Sequence, residues 1–129
     1  LHLLSRRQRQ MCIRDRWYIG LCAGGICLLG IMAITVKKFN TNEFHLNSQN
    51  VFSVKNAIKI ASTPNGNFYG KTGTGRVNGQ DINGWFIGYV ETSDNSYYFA
   101  TNIQSDSNAT GKKAFEITSD ILKKLHIWN

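Results

Sequence analysis

Residues 67–103 read NFYGKTGTGRVNGQDINGWFIGYVETSDNSYYFATNI, and two turn signals divide this stretch into three β-rich segments. The first signal is Asn78-Gly79, a dipeptide that favours a two-residue β-hairpin turn. The second is Ser93-Asp94-Asn95, whose residue types are common in turns. Aromatic and β-branched residues fill the segments between these signals. We therefore predict a three-stranded antiparallel sheet with strands at residues 67–77, 80–92 and 96–103.

Amphipathic segments on either side of these strands predict two helices that flank the sheet. In the first, apolar residues recur at near-helical spacing until Pro64-Asn65-Gly66 ends the pattern; they are Val51, Val54, Ile58 and Ala61. In the second, near the C-terminus, one side carries Ala114, Ile117, Ile121 and Leu125. The middle strand is apolar on both faces, so both faces need a cover. Together these elements predict an α+β fold.

The length and charge of the chain limit its function class. The 129 residues allow one small domain, and 15 Lys and Arg against 8 Asp and Glu give a net charge of +7. Seven basic residues and one acidic residue fall within residues 1–38, so +6 of this charge flanks an N-terminal apolar segment. Such a distribution favours a membrane-orientation signal, and we expect no nucleic-acid partner. The 3 Cys and 3 His share no ligand spacing, so we expect no metal and no cofactor.

The apolar segment, WYIGLCAGGICLLGIMAITV at residues 17–36, has twenty residues without a charge, about enough to cross a bilayer as a helix. Arg residues precede it, and the positive-inside bias then leaves the N-terminus in the cytoplasm. We predict a transmembrane anchor in the cell membrane and an extracytoplasmic C-terminal domain. A cleaved signal peptide is the alternative, although Ala33-Ile34-Thr35 matches a cleavage site poorly.

The remaining segments divide the chain further. Residues 1–16 include LLSRRQRQMCIRDR, which resembles the translation of a sequencing-library adapter, so we interpret them as a non-native segment or else as a basic leader. Residues 37–48 are polar and rich in Asn, and we predict a linker there. The predicted C-terminal domain then occupies residues 49–129.

One motif within the predicted strands points to chemistry. Lys71-Thr72-Gly73 lies on the first strand and is followed by GWFIGYVE at residues 84–91 and YYFATNI at residues 97–103. This combination resembles the C-terminal part of the penicillin-recognising serine enzymes of the transpeptidase superfamily. The resemblance is closest to class D β-lactamases and to the β-lactam sensor domains of membrane receptors, and it extends over residues 49–126.

The resemblance assigns roles to four consecutive residues. It implies that Lys71 and Thr72 receive the carboxylate of a ligand, a β-lactam or a peptidoglycan-like peptide. Gly73 would let the ligand lie beside the strand as an added strand does. The backbone amide of Thr74 would be one of two donors to an oxyanion. The alternative interpretation makes Lys71 an ordinary lysine on the edge of a sheet.

A further basic residue is assigned more loosely. Lys112 stands near the start of the last predicted helix, where class D enzymes often place an Arg that also contacts the carboxylate. Lys113 competes for this role, because the resemblance does not fix the register of the helix.

The catalytic half of the family pattern is missing from these residues. Acylation in the family needs a serine followed three residues later by a lysine, and no Ser in the 129 residues has Lys at that spacing. The helical domain that carries this pair is also absent. We therefore expect a penicillin-binding fragment without a catalytic nucleophile, whose parent activity is β-lactam hydrolysis through a serine acyl-enzyme. The alternatives are a fragment of a membrane-anchored β-lactam sensor and a non-catalytic peptide-binding membrane module.

Overall fold

The computed structural model describes residues 27–128, and residues 1–26 and 129 lie outside its described part. Within that part, helix α1 covers residues 27–40. The elements that follow are α2 (Ser48–Ala57), β1 (Lys59–Thr63), β2 (Gly66–Val77), β3 (Gln80–Thr92), β4 (Ser96–Gln104) and α3 (Gly111–Lys124). The described residues form an α+β fold with three helices and one four-stranded sheet.

The sheet is antiparallel throughout, and its strand order β1-β2-β3-β4 follows the chain. All three strands predicted from the sequence are confirmed to within one residue at each end. Between β2 and β3, Asn78 and Gly79 adopt positive φ angles of 49° and 78°. The tightest hairpin turns require positive φ at both positions, and Asn and Gly adopt it at little cost. This turn pairs Val77 with Gln80, and a one-residue register shift between Gly75 and Arg76 then places Lys71 beside Ile87.

The prediction of only three strands was wrong, because β1 adds a fourth strand where the sequence pattern predicted more helix. Helix α2 ends at Ala57. The chain then turns back along β2, with Thr63 beside Gly66. Before β1, the carbonyl of Ile58 accepts the amide of Gly70 at 2.9 Å. The β-branched residues of β1 suit an extended backbone, and pairing with β2 satisfies polar groups that a strand edge would otherwise leave open.

One face of the sheet packs against α3 and forms the hydrophobic core. Phe68, Phe86 and Val90 are buried there together with Ala114 and Leu122 of α3. The rings of Phe68 and Phe86 meet edge to face with centroids 6.0 Å apart, an arrangement that aromatic pairs prefer. This core holds α3 across the middle of β2 and β3.

The side of α3 that faces the sheet differs in part from the predicted one, of which Ala114 is buried as expected. Ile117, Ile121 and Leu125 are 44%, 48% and 61% exposed, whereas the sequence pattern predicts that they pack inward. The buried residues of this helix are Gly111, Ala114, Thr118 and Leu122. Most of these residues are small, so the helix approaches the sheet closely. The Thr118 hydroxyl is satisfied because it donates to the carbonyl of Ala114 at 2.8 Å.

The opposite face of the sheet lies under the end of α1. Tyr69 and Tyr89 stack on this face with ring centroids 4.6 Å apart, and Tyr89 is fully buried. The side-chain amide of Asn40 donates to Glu91 Oε1 at 3.1 Å and to the hydroxyl of Tyr98 at 3.0 Å. The interval predicted as a linker, residues 37–48, therefore contains the last turn of α1, a turn at residues 41–44 and the first residue of α2.

The predicted transmembrane segment lies partly outside the described residues. Of residues 17–36, only 27–36 are described, and they begin α1. Across residues 27–128, none of the helices combines the length and the apolar character needed to span a membrane. The predicted leader at residues 1–16 lies wholly outside the described part.

Candidate functional site

The candidate site is the half of β2 that has a strand on one side only. β1 pairs with β2 only between Gly66 and Tyr69, whereas β3 accompanies β2 along its length. From Lys71 to Val77, no strand within residues 27–128 pairs with the other side of β2. This open edge contains the Lys71-Thr72-Gly73-Thr74 run.

The direction of the backbone groups along this edge follows from alternation. The amide of Gly70 points toward β1, since it donates to Ile58. Successive residues of a strand direct their amides and carbonyls to opposite sides. The backbone groups of Thr72 and Thr74 therefore point to the open edge, and those of Lys71 and Gly73 point to β3.

A hydrogen bond on the β4 side of β3 indicates the same directions for the backbone groups of β2. The amide of Ser105 donates to the carbonyl of Ile82 at 3.2 Å, so the even-numbered residues of β3 direct their backbone groups toward β4. The odd-numbered residues Trp85 and Ile87 then point toward β2, where their register partners are Gly73 and Lys71. Both hydrogen bonds therefore place the amide of Thr74 at the open edge, where no strand within residues 27–128 pairs with it.

The Lys71 side chain bends round to this edge. Its ammonium donates to the carbonyl of Thr72 at 2.9 Å, which places a positive charge directly on the unpaired side of β2. Lys71, Thr72, Gly73 and Thr74 are all exposed. The structure thus brings an ammonium, a hydroxyl and an outward-facing amide together along one short, accessible stretch.

The start of α3 supports this stretch from the core side. The amide of Gly111 donates to Thr74 Oγ1 at 2.9 Å, and the Thr110 hydroxyl caps the helix by accepting the amide of Lys113 at 3.2 Å. A Cβ on Gly111 would lie 2.6 Å from the carbonyl oxygen of Gly73, too close for a side chain. Sequence reasoning missed Thr110 and Gly111, although a Thr directly before a helical pattern is an N-cap signal.

Lys112 lies in the first turn of α3, next to the contact between Gly111 and β2. Its side chain is 84% exposed, and its ammonium lies 3.9 Å from Glu116 Oε1. No hydrogen bond among residues 27–128 joins it to Lys71 or Thr72. The side chain of Lys113 is also exposed, so both lysines stay available as the further basic residue.

The titratable groups behind the site are tyrosines. Burial, and after it the charge of Glu91, raises the pKa of Tyr89 well above the usual value for a phenol. The same two causes raise the pKa of Tyr69. No group of three or more His, Cys, Asp or Glu side chains that could hold a metal ion occurs in residues 27–128.

Comparison of the chain with known protein families identifies the domain that contains this open edge. The penicillin binding protein transpeptidase domain matches residues 15–123. The chain belongs to this family. The resemblance that the Lys71-Thr72-Gly73 run and its flanking strands suggested is thereby confirmed, and the open edge of β2 is the edge of a transpeptidase-type domain.

Individual relatives share this domain. The methicillin resistance protein mecR1 of Staphylococcus aureus is 40% identical over 92 residues, and the regulatory protein BlaR1 of Bacillus licheniformis is 44% identical over 93 residues. These alignments cover 71% and 72% of this chain but 16% of each relative. The chain therefore spans about one sixth of the length of these curated relatives.

Solved structures of transpeptidase-type domains superpose on the described residues. The C-terminal domain of the Bacillus licheniformis BlaR penicillin-receptor matches with a TM-score of 0.71 and 42% identity, over 76% of this chain and 40% of that one. A class D β-lactamase from Bacillus subtilis matches with a TM-score of 0.68 and 32% identity, over 76% of this chain and 39% of that one. The fold is β-lactamase-like, and the chain spans less than half of each solved relative.

Proposed function

We propose that the open edge of β2 binds a β-lactam or a peptidoglycan-like peptide without forming a covalent bond. The observation that carries this proposal is the unpaired half of β2, where Thr72 and Thr74 direct backbone groups outward. A ligand amide beside these residues would add one more strand to the sheet. The amide of Thr74 would donate to the ligand carbonyl, and the carbonyl of Thr72 would accept a ligand amide.

Charge supplies the second part of the proposed recognition. The ligand carboxylate takes the place of the Thr72 carbonyl as the partner of the Lys71 ammonium, and the exposed Thr72 hydroxyl donates beside it. Hydrogen bonds between charged groups are about twice as strong as neutral ones. Lys112 or Lys113 adds a further positive charge from the start of α3.

The proposed binding includes no covalent step. In the relatives' family pattern, a serine with a lysine three residues later forms the acyl-enzyme, and the 129 residues contain no such pair. Without this nucleophile, the Thr74 amide binds the ligand carbonyl, but no serine hydroxyl attacks that carbonyl. These residues therefore bind a β-lactam reversibly and do not hydrolyse it.

We propose a second candidate, a fragment of a membrane-anchored penicillin receptor, because a specific comparison favours it. The receptor domain from Bacillus licheniformis shares 42% identity with this chain, against 32% for the Bacillus subtilis class D β-lactamase. In this candidate, residues 17–36 anchor the chain in the cell membrane and the domain lies on the extracytoplasmic side. The apolar sequence of that segment supports the anchor.

Two measurements on the full chain test the binding proposal. Incubation with a fluorescent penicillin followed by a denaturing gel is expected to give no labelled band, since a covalent acyl bond would survive denaturation. Equilibrium titration with benzylpenicillin is expected to show saturable binding that Lys71→Met weakens roughly tenfold. Lys124→Met, at the other end of α3, serves as the matched control and leaves the affinity unchanged.

The opposite results would overturn the proposal. A labelled band at the mass of this chain means that another nucleophile acylates. Absence of saturable binding, or equal losses for both lysine variants, removes the Lys71 edge as a ligand site.

A further inference from the structure

A cavity of about 380 Å³ lies between α1, α2 and the face of the sheet opposite α3. Its apolar lining includes Val36, Phe39, Phe44, Leu46, Val54 and Ile87. Small-molecule sites commonly occupy 300–1,000 Å³ and are mostly apolar with few polar groups. The cavity lies within this range and has this character.

Lys71 is the one charged residue among the described residues that line the cavity. It stands beside Ile87 in the register of β2 and β3, while its ammonium reaches the carbonyl of Thr72 at the open edge. Its aliphatic stem therefore covers part of the cavity wall, and its charge lies at the rim, a common arrangement for lysine. The site combines an apolar chamber with a positive charge at its opening.

The apolar lining is incompletely covered in the described residues. Phe44, Leu46 and Val54 all line the cavity, yet they are 48%, 45% and 44% exposed. Phe44 lies in the turn after α1, Leu46 just before α2, and Val54 within α2. Exposed apolar area costs free energy in proportion to its extent, and a bound apolar chain would recover it. Isolated exposed apolar residues are ordinary, whereas a contiguous patch marks a binding surface.

A second lysine adds to the positive charge on this face. Lys59 of β1 places its ammonium 6.0 Å from the ring centre of Tyr69, the residue that stacks on Tyr89 in the cavity floor. This charge lies on the same side of the sheet as Lys71, because Lys59 pairs with Tyr69. Glu91, two residues after Tyr89 and on the same face, carries an opposing negative charge that acts on both tyrosines. The charge in the cavity lining that favours an anion is therefore that of Lys71.

We propose that this cavity binds a long-chain alkyl carboxylate, with the chain among Phe39, Phe44 and Val54 and the carboxylate on Lys71. This ligand class differs from a penicillin, but the inference rests on the proposed function in that both place a carboxylate on Lys71. The carboxylate takes the hydrogen bond that Lys71 now gives to the Thr72 carbonyl. Each methylene group that the cavity buries raises the affinity about fourfold until the cavity is full.

Photolabelling of the full chain in a non-ionic detergent tests this inference at the level of individual peptides. The probe is dodecanoic acid with a diazirine near the end of its chain, and the label is located by mass spectrometry after trypsin digestion. Cleavage after Lys38 and Lys55 releases residues 39–55, which include four of the apolar lining residues. We expect the label to concentrate in this peptide, and unlabelled dodecanoate to compete for it. Dodecanol, which lacks the charge, and acetate, which lacks the chain, compete at least tenfold more weakly.

Two variants separate the parts of the site. Lys71→Met keeps a long apolar side chain but removes the charge, and it reduces labelling of residues 39–55 about tenfold. Val54→Phe fills the chamber and reduces labelling to a similar degree. Val77→Phe, on an exposed residue at the end of β2 that does not line the cavity, is the matched control and leaves labelling unchanged.

Several outcomes would overturn the inference. If dodecanol competes as well as dodecanoate, the site does not recognise the carboxylate. Label that fragment ions confine to residues 17–34, whose described part does not line the cavity, assigns the probe to the apolar segment. Label that Val54→Phe does not reduce places the probe outside the cavity. If benzylpenicillin binding fails while Lys71-dependent dodecanoate labelling persists, the proposed function fails alone; the reverse pattern overturns only this inference.

Discussion

The backbone amide of Gly111 donates to Thr74 Oγ1 at 2.9 Å, and this bond fixes the start of α3 against the open edge of β2. The contact is close because Gly111 has no side chain: a Cβ there would lie 2.6 Å from the carbonyl oxygen and 2.9 Å from the nitrogen of Gly73. Both atoms belong to the backbone, so neither can rotate away. The geometry of the candidate site therefore depends on a glycine outside the Lys71-Thr72-Gly73 motif.

Replacing this glycine tests the dependence. Gly111→Ala is expected to destabilise the fold by about 1–3 kcal/mol, because the added methyl group forces α3 away from β2. Urea unfolding of the full chain, followed by circular dichroism, measures the change. Gly73→Ala is the matched control, since its Cβ would meet only Trp85 Cβ at 3.7 Å, an ordinary contact. Equal losses of stability in the two variants would contradict the packing argument.

Replacing a lysine at the start of α3 is expected to affect stability and ligand binding in opposite directions. The first turn of this helix has no acidic residue, and Lys112 and Lys113 place positive charge at the positive end of the helix dipole. Lys112→Gln removes an unfavourable dipole interaction of about 0.3–1 kcal/mol and also loses the pair with Glu116, worth about 0.2–0.5 kcal/mol. We therefore expect a rise in stability of at most about 0.5 kcal/mol together with weaker penicillin binding. Thermal unfolding and benzylpenicillin titration measure the two quantities.

The control for this experiment lies at the other end of the helix. Lys124 stands in the last turn, where a positive charge is favourable, so Lys124→Gln lowers stability slightly and leaves binding unchanged. If Lys113→Gln weakens binding and Lys112→Gln does not, Lys113 is the residue that contacts the carboxylate.

Amide hydrogen exchange tests the direction of backbone groups along β2. The amide of Gly70 is bonded to Ile58, and those of Lys71 and Gly73 point to β3, so all three are expected to exchange slowly. The amides of Thr72 and Thr74 point to the open edge and are expected to exchange faster by orders of magnitude. NMR-detected exchange resolves single residues. Slow exchange at Thr74 in the ligand-free protein would show that the edge is already paired.

The three-stranded part of the sheet could be predicted from the sequence because its turns have local signals. Asn78-Gly79 and Ser93-Asp94-Asn95 act through the backbone preferences of their own residues, so no knowledge of distant contacts is needed. Strand β1 has five residues, and the apolar spacing from Val51 to Ala61 also fits a helix. Its pairing with β2 is a tertiary effect, which local periodicity does not contain.

The orientation of α3 could not be predicted for a related reason. Ile117, Ile121 and Leu125 are larger and more apolar than Gly111 and Thr118, so hydrophobic periodicity favours them, together with Ala114, as the buried side. The structure buries the smaller residues because they allow the helix to approach the sheet. The motif residues at positions 71–74 were placed by family resemblance, whereas the Gly111 contact depends on atoms 37 residues apart along the chain.

From the buried Tyr89 hydroxyl we predict that its removal stabilises the fold and that the stability of the chain depends on pH. This hydroxyl is buried, and no hydrogen-bond partner for it occurs within residues 27–128. An unsatisfied buried polar group costs about 1–3 kcal/mol, so Tyr89→Phe is expected to raise the free energy of unfolding by about 1 kcal/mol at pH 7. Tyr98→Phe is the matched control: its hydroxyl accepts the amide of Asn40 at 3.0 Å, and removing it lowers stability.

The pH dependence of stability follows from the raised pKa of Tyr89. Burial, and after it the charge of Glu91, keeps the phenol neutral in the folded chain, whereas in the unfolded chain it ionises near pH 10. Below pH 10 both states carry the proton, so the contribution to stability is constant. As the pH rises above 10, only the unfolded state loses the proton, and the free energy of unfolding falls. Urea titrations between pH 8 and about 11 should therefore show a steeper alkaline loss for the original chain than for Tyr89→Phe; parallel curves would mean that Tyr89 ionises as easily folded as unfolded.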